Sequence, residues 1–337
     1  MNFTSIGDLA MGLQTRQHNQ QLKGHVTRLS YEVISGVRQD VGKAVSGDFV
    51  ALAGVERGLR TLAAYKLSTD EAALFTSSLQ TALAQVAEAS AGLGTSLLSA
   101  STPASPVQVD TLAQTARQKF GAMVAALNLR VADRYALSGA ATDTPPLAGA
   151  ETILSALQGA VASAASVSDI ADAVTDWFDA PAGGGGFLDI AYQGAADGLS
   201  PFLLGDGDST QMALTAADPR LRAAMAGVAL AALLDTGLRA GEPAARSLIA
   251  ERAGTWILNA EPGLTAVRAG LGSSEARIDE AATRNSAEVT VLKIARNTLI
   301  GADPYDSAAD LEAVQTQLET LYMLTARIAR LSFADYL

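Results

Sequence analysis

Apolar positions along this chain recur mostly at spacings of three and four, the period of helices with one buried face. Ile6, Leu9 and Leu13 open such a stripe and Leu22, Val26, Leu29 and Val33 resume it, predicting a helix over residues 1–39. Between the two runs, Gln14 to Gln21 is polar throughout. Two readings of that gap stay open: a solvated or frayed stretch, or a helix whose polar section faces water or another polar helix. Residues 40–47 carry Gly42 and Gly47 and read as a hinge, after which Asp48 is placed to accept a first-turn N–H of the next helix. Leu52, Val55, Leu59 and Leu62, then Leu79, Leu83, Val86, Leu93 and Leu97, predict one long helix, interrupted near Leu67 to Asp70 and closed by Gly92, Gly94 and Pro103. Ser105-Pro106 starts a partner helix, with Val109, Leu112, Ala116, Phe120, Met123, Leu127 and Val131 on one face as far as Tyr135 and Gly139 at its end. Together the two form a helical hairpin.

The middle of the chain breaks the pattern. Thr144-Pro145-Pro146 ends it, residues 150–179 are Ala-rich with weak helical spacing, and Gly183 to Gly186 reads as a flexible linker. Phe187 to Tyr192, Pro201 to Leu204 and Met212 to Leu214 are short apolar pieces between Gly/Asp clusters and read as a small group of strands. Asp218-Pro219 caps a helix to about Thr236, and Glu242 to Leu258 predicts one more. Residues 146–255 therefore read as an inserted α+β domain.

Helical period returns in the last quarter. Leu271, Ile278, Asn285, Leu292 and Leu299 are spaced by seven, with Val267, Ala281 and Ala295 as a partial second row. Asp303-Pro304 interrupts, and the final helix then carries Leu311, Leu318 and Thr325 in one row and Val314, Leu321 and Ile328 in the other. Both ends of the chain are thus long one-sided helices, which gain stability only by burying their stripes. Either they complete a self-contained bundle, or they pair and pack into a tube of identical or related subunits. The candidate subunit-packing residues are Ile6, Leu9, Leu13, Leu22, Val26, Leu29, Leu311, Val314, Leu318, Leu321, Ile328, Leu331, Phe333 and Tyr336.

Composition narrows the chemistry. The 337 residues include 24 Lys and Arg against 35 Asp and Glu, a formal net charge of −11, which disfavours nucleic acid and anionic lipid as partners. Cysteine is absent and His18 and His25 are the whole imidazole supply, so disulfides, thiolate chemistry and histidine-rich metal sites are excluded. Both histidines fall in the polar part of the first helix, and Ser, His and Asp assemble no triad. Gly183 to Gly186 lacks the G-x-G-x-x-G or G-K-[ST] context of a phosphate cradle. Asp206-Gly207-Asp208 resembles the start of a calcium loop but has Ala217 where the terminal Glu belongs, so it reads as a solvated turn. Trp177 and Phe178 read as core. No cofactor or metal is expected. The amino-terminal segment lacks the pattern of a cleaved secretory signal, and the greasiest run, Ala223 to Leu234, is too short to cross a bilayer.

The carboxyl-terminal stretch from Leu318 to Leu337, ending Leu331-Ser332-Phe333-Ala334-Asp335-Tyr336-Leu337, resembles the end of the bacterial flagellin superfamily, and within it the flagellar hook-filament junction (hook-associated) proteins. Asp133-Arg134-Tyr135-Ala136-Leu137-Ser138-Gly139, followed by Thr142-Asp143-Thr144-Pro145-Pro146, is similar to that group's Gly-Arg-Tyr-x-Phe-x-Gly and Thr-Asp-Thr-x-Pro, with Asp133 in place of Gly and Leu137 in place of Phe. Ala302-Asp303-Pro304-Tyr305-Asp306 is a poor version of the Arg-Ile-x-Asp-Ala-Asp motif of filament flagellins. The resemblance covers residues 1–146 and 260–337.

It implies a mainly α fold of nested domains, with long antiparallel coiled-coil helices from both termini. Residues 1–42 with 303–337 would form the inner domain, 43–145 with 256–302 a helical rod, and 146–255 the variable outer domain. It also implies a structural, non-enzymatic subunit exported unfolded by the flagellar type III system without a cleaved signal, and located extracellularly in the flagellum. Its implied partners are copies of itself in a ring or helical tube, a hook-associated neighbour, flagellin or another filament-side protein, and an export chaperone. A filament flagellin is the alternative within the group. An intracellular helical adaptor or a carboxylate enzyme is the alternative outside it.

Overall fold

The computed structural model describes residues 6–101 and 106–334, with side chains placed over 10–101 and 106–328. It is mainly helical. By its internal contacts the chain divides into two compact units, one of Met1–Ala63 with Ser286–Leu337 and one of Ala64–Asn285. The helices α3 (Val50–Ser90) and α10 (Pro243–Ile300) contribute to both.

In the first unit, α1 (Ile6–Ser35) and α11 (Pro304–Ala334) pack along each other. The polar run Gln14 to Gln21 lies inside α1 without a break, so it is a polar helical section and not a frayed one. Gly36, at φ +66°, ends α1 where a side chain would be strained. The chain then forms an isolated antiparallel bridge between Val37 and Gly301, the residue that follows α10. The Arg38 N–H donates to the Ile300 carbonyl at 2.9 Å and the Ala302 N–H to the Gly36 carbonyl at 3.0 Å. The interruptions of the two terminal helical runs are therefore one joint, from which α1 and α11 extend antiparallel.

Acidic caps punctuate this unit. Asp40 accepts from the Lys43 N–H at the start of α2 (Val41–Ala44), Asp48 from the Val50 N–H, and Asp303 from the Tyr305 and Asp306 N–H groups. The first part of α3 runs against the last part of α10: a Cβ on Gly58 would lie 2.8 Å from a Leu292 methyl, and Glu56 pairs with Arg296.

The second unit is built around α9 (Pro219–Leu233), started by Asp218, which accepts the Arg220 N–H, and continued by a 3₁₀ turn at Leu234–Thr236. The apolar run Ala223 to Leu234 is explained by its surroundings: α9 is buried on nearly every side. Around it pack α5 (Pro106–Leu127), α6 (Ala150–Val161) and α7 (Val167–Asp179), while α4 (Leu93–Ser101) packs on α5. Small residues allow the backbones to come close: a Cβ on Gly227 would sit 2.9 Å from the Ile257 backbone nitrogen. Phe75, Leu79, Leu83 and Val86 of α3 and Ile257, Leu264, Leu271 and Ile278 of α10 complete the core.

Several elements differ from the sequence expectation. No break occurs at Leu67 to Asp70, because the buried Thr69 returns its hydroxyl to the Lys66 carbonyl and Lys66 pairs with Asp70 one turn on. Helix α5 stops at Leu127, short of Tyr135 and Gly139. A hairpin of β1 (Arg130–Val131) and β2 (Arg134–Tyr135) follows, turning through Ala132 and Asp133 at φ +47° and +64°. Phe187–Ile190 is a helical turn, α8, and not a strand. β3 (Phe202–Gly205) pairs with β4 (Asp208–Thr210), and Met212 to Leu214 joins no strand. Helix α10 does not end near Leu258 but runs on through Pro262, with Ala260 and Leu264 buried on either side of the proline.

Candidate assembly surface

In the second unit, the side chains that the sequence singled out hold the fold. The four-glycine loop is not a flexible linker. It wraps the Asp189 carboxylate, which accepts the Gly183 N–H at 2.8 Å and the Gly185 N–H at 2.7 Å. Those backbone donors hold the Asp189 carboxyl below the usual carboxylate range. Gly183 and Gly185 sit at positive φ, and a Cβ on Gly186 would lie 2.3 Å from the Trp177 carbonyl oxygen. The donors a phosphate would need are thus occupied by the chain's own anion.

The calcium-loop likeness ends similarly, since Asp208 is paired with Arg277 at 3.1 Å and Arg284 at 2.7 Å. Trp177, Phe178 and Phe187 form a buried aromatic cluster with ring centroids 5.1 to 6.0 Å apart. Among the described residues, no group of three or more His, Asp or Glu side chains is arranged to hold a metal ion, and no helix is long and apolar enough to cross a membrane.

The first unit is different, because its apolar side chains are only partly covered. Of the candidate packing residues, Leu22 and Leu29 of α1 are buried and Val26 is half-buried. On α11, Leu311, Val314, Leu318 and Leu321 are half-buried. These are covered positions on two helices that pack along each other. Leu13 and Ile328 do not join the seam and are 56% and 46% exposed. Ile6, Leu9, Leu331 and Phe333 lie on α1 and α11, but their side chains fall outside those described, and Tyr336 lies outside the described residues.

The heptad pattern missed two polar groups at the joint. Glu32 is buried at 6% exposure, accepts the Gln39 N–H at 3.1 Å and faces Arg28 at 3.5 Å, and Ser307 near the start of α11 is also buried. The four-residue spacing of Arg28 and Glu32 was the available signal for the first. The pattern also missed large apolar side chains on the open faces: Tyr31, Ile34, Tyr305 and Met323 are each more than half exposed. Most of the exposed large apolar residues among those described belong to this smaller unit. Apolar side chains left in water in this way forgo the stability that burial would give.

Residues 256–337 match the family described as the bacterial flagellin C-terminal helical region. Among solved structures, one from Vibrio parahaemolyticus described as a candidate flagellar hook-associated protein matches with a TM-score of 0.53 at 13% identity. The match covers 76% of this chain and 100% of that one, and at this identity it is a likeness of fold. No curated protein matches the chain.

Proposed function

We propose that this flagellin-family structural protein joins the hook of a bacterial flagellum to its filament. The observation that carries the reading is the half-covered pair of terminal helices, α1 and α11, in a chain whose last 82 residues match the flagellin carboxyl-terminal region. A helix pair that leaves so much apolar surface in water gains stability from neighbours, so ordering and assembly coincide. That coupling suits a subunit exported unfolded through a narrow channel by the flagellar type III system, with a chaperone covering the same helices beforehand. Three features support the junction over the filament: the Leu-Ser-x-x-Asp-Tyr-Leu ending, the Asp133 to Gly139 motif and the weak Ala302 to Asp306 version of the flagellin motif.

In this reading Leu22, Val26, Leu29, Leu311, Val314, Leu318 and Leu321 hold the hairpin that is the assembling element. Residues 1–42 with 303–337 form the inner part, 43–145 with 256–302 the rod and 146–255 the outer part. The molecule stands outside the cell, between a hook-associated neighbour and a filament-side protein. The family match at residues 256–337 keeps a filament flagellin as the second reading.

The test is binding to isolated hooks. Purified protein added to hooks should occupy their distal ends and stop, and electron microscopy should find label confined to the junction. Long filaments growing from those ends would establish the filament reading, and absence of any hook binding would overturn both.

A further inference from the structure

The chain contains two Asp-Gly pairs, Asp197-Gly198 and Asp206-Gly207, and the fold holds them differently. The second forms the turn of the β3–β4 hairpin, with both residues exposed and Gly207 at φ +67°. Among the described residues, the Asp206 carboxylate has no ion-pair or hydrogen-bond partner, the Asp206 carbonyl accepts no hydrogen bond and the Gly207 N–H donates none. The anchors of the hairpin lie on either side of this pair: the Leu204 carbonyl accepts from Asn285 at 2.7 Å, and Asp208 pairs with Arg277 and Arg284. The Asp197 carbonyl, by contrast, accepts the Ala140 N–H at 2.9 Å, and Gly139 comes so close that a Cβ there would lie 2.3 Å from that oxygen. Gly198 is half-buried, and a Cβ on it would lie 3.5 Å from the Ala213 backbone.

We propose that Asp206 is a site of spontaneous isomerisation to isoaspartate, which loosens the β3–β4 hairpin from α10. The Gly207 amide nitrogen attacks the carbon of the protonated Asp206 carboxyl. The N–Cγ bond forms, the Cγ–OH bond breaks, and the hydroxyl leaves with the amide proton as water, closing a five-membered succinimide. Water then adds back at one of the two ring carbonyls. Attack at Cγ restores Asp, while attack at the backbone carbonyl carbon breaks its bond to nitrogen and leaves the chain running through Cγ. Ring closure requires rotation about the Cα–C bond of the aspartate, which swings its carbonyl. At Asp206 that rotation breaks no hydrogen bond, whereas at Asp197 it breaks the one to Ala140. Glycine favours the attack in both pairs, since no Cβ crowds its nitrogen. The product keeps its carboxylate charge but adds one methylene to the chain between two fixed points. A two-residue turn has no slack for it, so the pairing of Gly205 with Asp208 and the contacts of Asp208 with α10 are lost together.

The test ages the full chain at neutral pH, folded and in denaturant. Isoaspartate is measured by enzymatic methyl transfer to the isoaspartyl carboxyl and located by electron-transfer fragmentation of peptides. In the folded chain we expect it to form at Asp206 about tenfold faster than at Asp197, the rate ratio that one backbone hydrogen bond supplies, and at similar rates in denaturant. Asp206→Asn should speed the reaction, since ammonia replaces water as the leaving group in the same ring closure. Asp206→Glu should remove it, because the longer side chain cannot close a five-membered ring. Both variants keep an exposed polar side chain at the turn and leave Asp208 and its arginines in place. Hydrogen exchange of the aged folded chain should be faster over residues 202–210 and unchanged in α9. Equal isoaspartate at the two pairs in the folded chain, none at Asp206, or an aged hairpin as protected as a fresh one would each overturn the proposal. The assay involves no flagellar partner, so its outcome is independent of hook binding.

Discussion

Val37 and Gly301 face each other in an antiparallel bridge that ties the end of α1 to the start of α11 across 264 residues of sequence. Gly301 is required there by space: a Cβ would lie 2.3 Å from the Asn297 carbonyl oxygen, which already accepts the Gly301 N–H at 2.7 Å. Gly301→Ala must therefore shift the backbone at the joint, at an expected cost of ~1–3 kcal/mol. Hydrogen exchange should show the Arg38 and Ala302 amides losing protection while those of α9 keep theirs. Unchanged protection at Arg38 would mean that the joint does not depend on this close approach.

Leu318 and Leu321 sit half-buried on the α11 face that meets α1. Replacing both by Asp puts two carboxylates into the apolar seam with no basic partner provided, and each change should cost ~1–3 kcal/mol. The expected outcome is faster amide exchange around Leu22 and Leu29 and loss of binding to isolated hooks, with secretion into the medium maintained. Retained hook binding would show that the seam is not needed for assembly.

Much of this fold was legible because helix pattern and cap chemistry are local. The rows through Leu271, Ile278 and Asn285 and through Leu311 and Leu318 fall on faces that the structure covers at least in part. Asp48 and Asp218 cap the helices that their sequence positions imply. What escaped depends on contacts far apart or on a single backbone angle. Asp133 stands where the resembling group has Gly, and the structure shows why a glycine suits that place: the residue is left-handed, a conformation Asp tolerates better than most side chains. No helical period reports such a turn, so α5 reads as continuing to Tyr135. Likewise the helix predicted over Glu242 to Leu258 runs on, because the sequence alone does not show that buried neighbours hold α10 together across the N–H missing at Pro262. Of the candidate packing positions read from the helical period, Leu22 and Leu29 are buried and Leu311, Val314, Leu318 and Leu321 half-buried. The exposed side chains Tyr31, Ile34, Tyr305 and Met323 were not read from it, since they fall off those helical rows.

Asp189 makes the stability of the second unit depend on pH. Its carboxyl is held below the ordinary range by the Gly183 and Gly185 N–H groups, so the folded state prefers the ionised form. A carboxyl depressed on folding contributes stability above its unfolded value, about 3.9 for Asp, and loses it as pH falls through the lower folded value. Asp189→Ala should lower the melting temperature at pH 7, and the gap from the wild type should close in strong acid. A gap that is the same at pH 7 and pH 2 would show that the carboxylate's charge plays no part in ordering the glycine loop.

Asn285 interrupts an otherwise apolar heptad row on α10, between Ile278 and Leu292, and it is buried at 8% exposure. Its side-chain amide donates to the Leu204 carbonyl at 2.7 Å, and Arg284 beside it pairs with Asp208, so adjacent residues of α10 hold both strands of the β3–β4 hairpin. Asn285→Leu would restore the apolar row but leave the Leu204 carbonyl without its buried donor. A lost buried hydrogen bond of this kind costs ~1–3 kcal/mol, which outweighs the gain from a larger apolar side chain at a site already filled. The expected result is a lower unfolding midpoint in urea and increased protease sensitivity around Gly205 to Gly207. Asn285→Asp should also release the hairpin, because a carboxylate has no hydrogen to give that carbonyl. If the Leu variant were more stable than the wild type, the polar break in the row would have no structural role at this site.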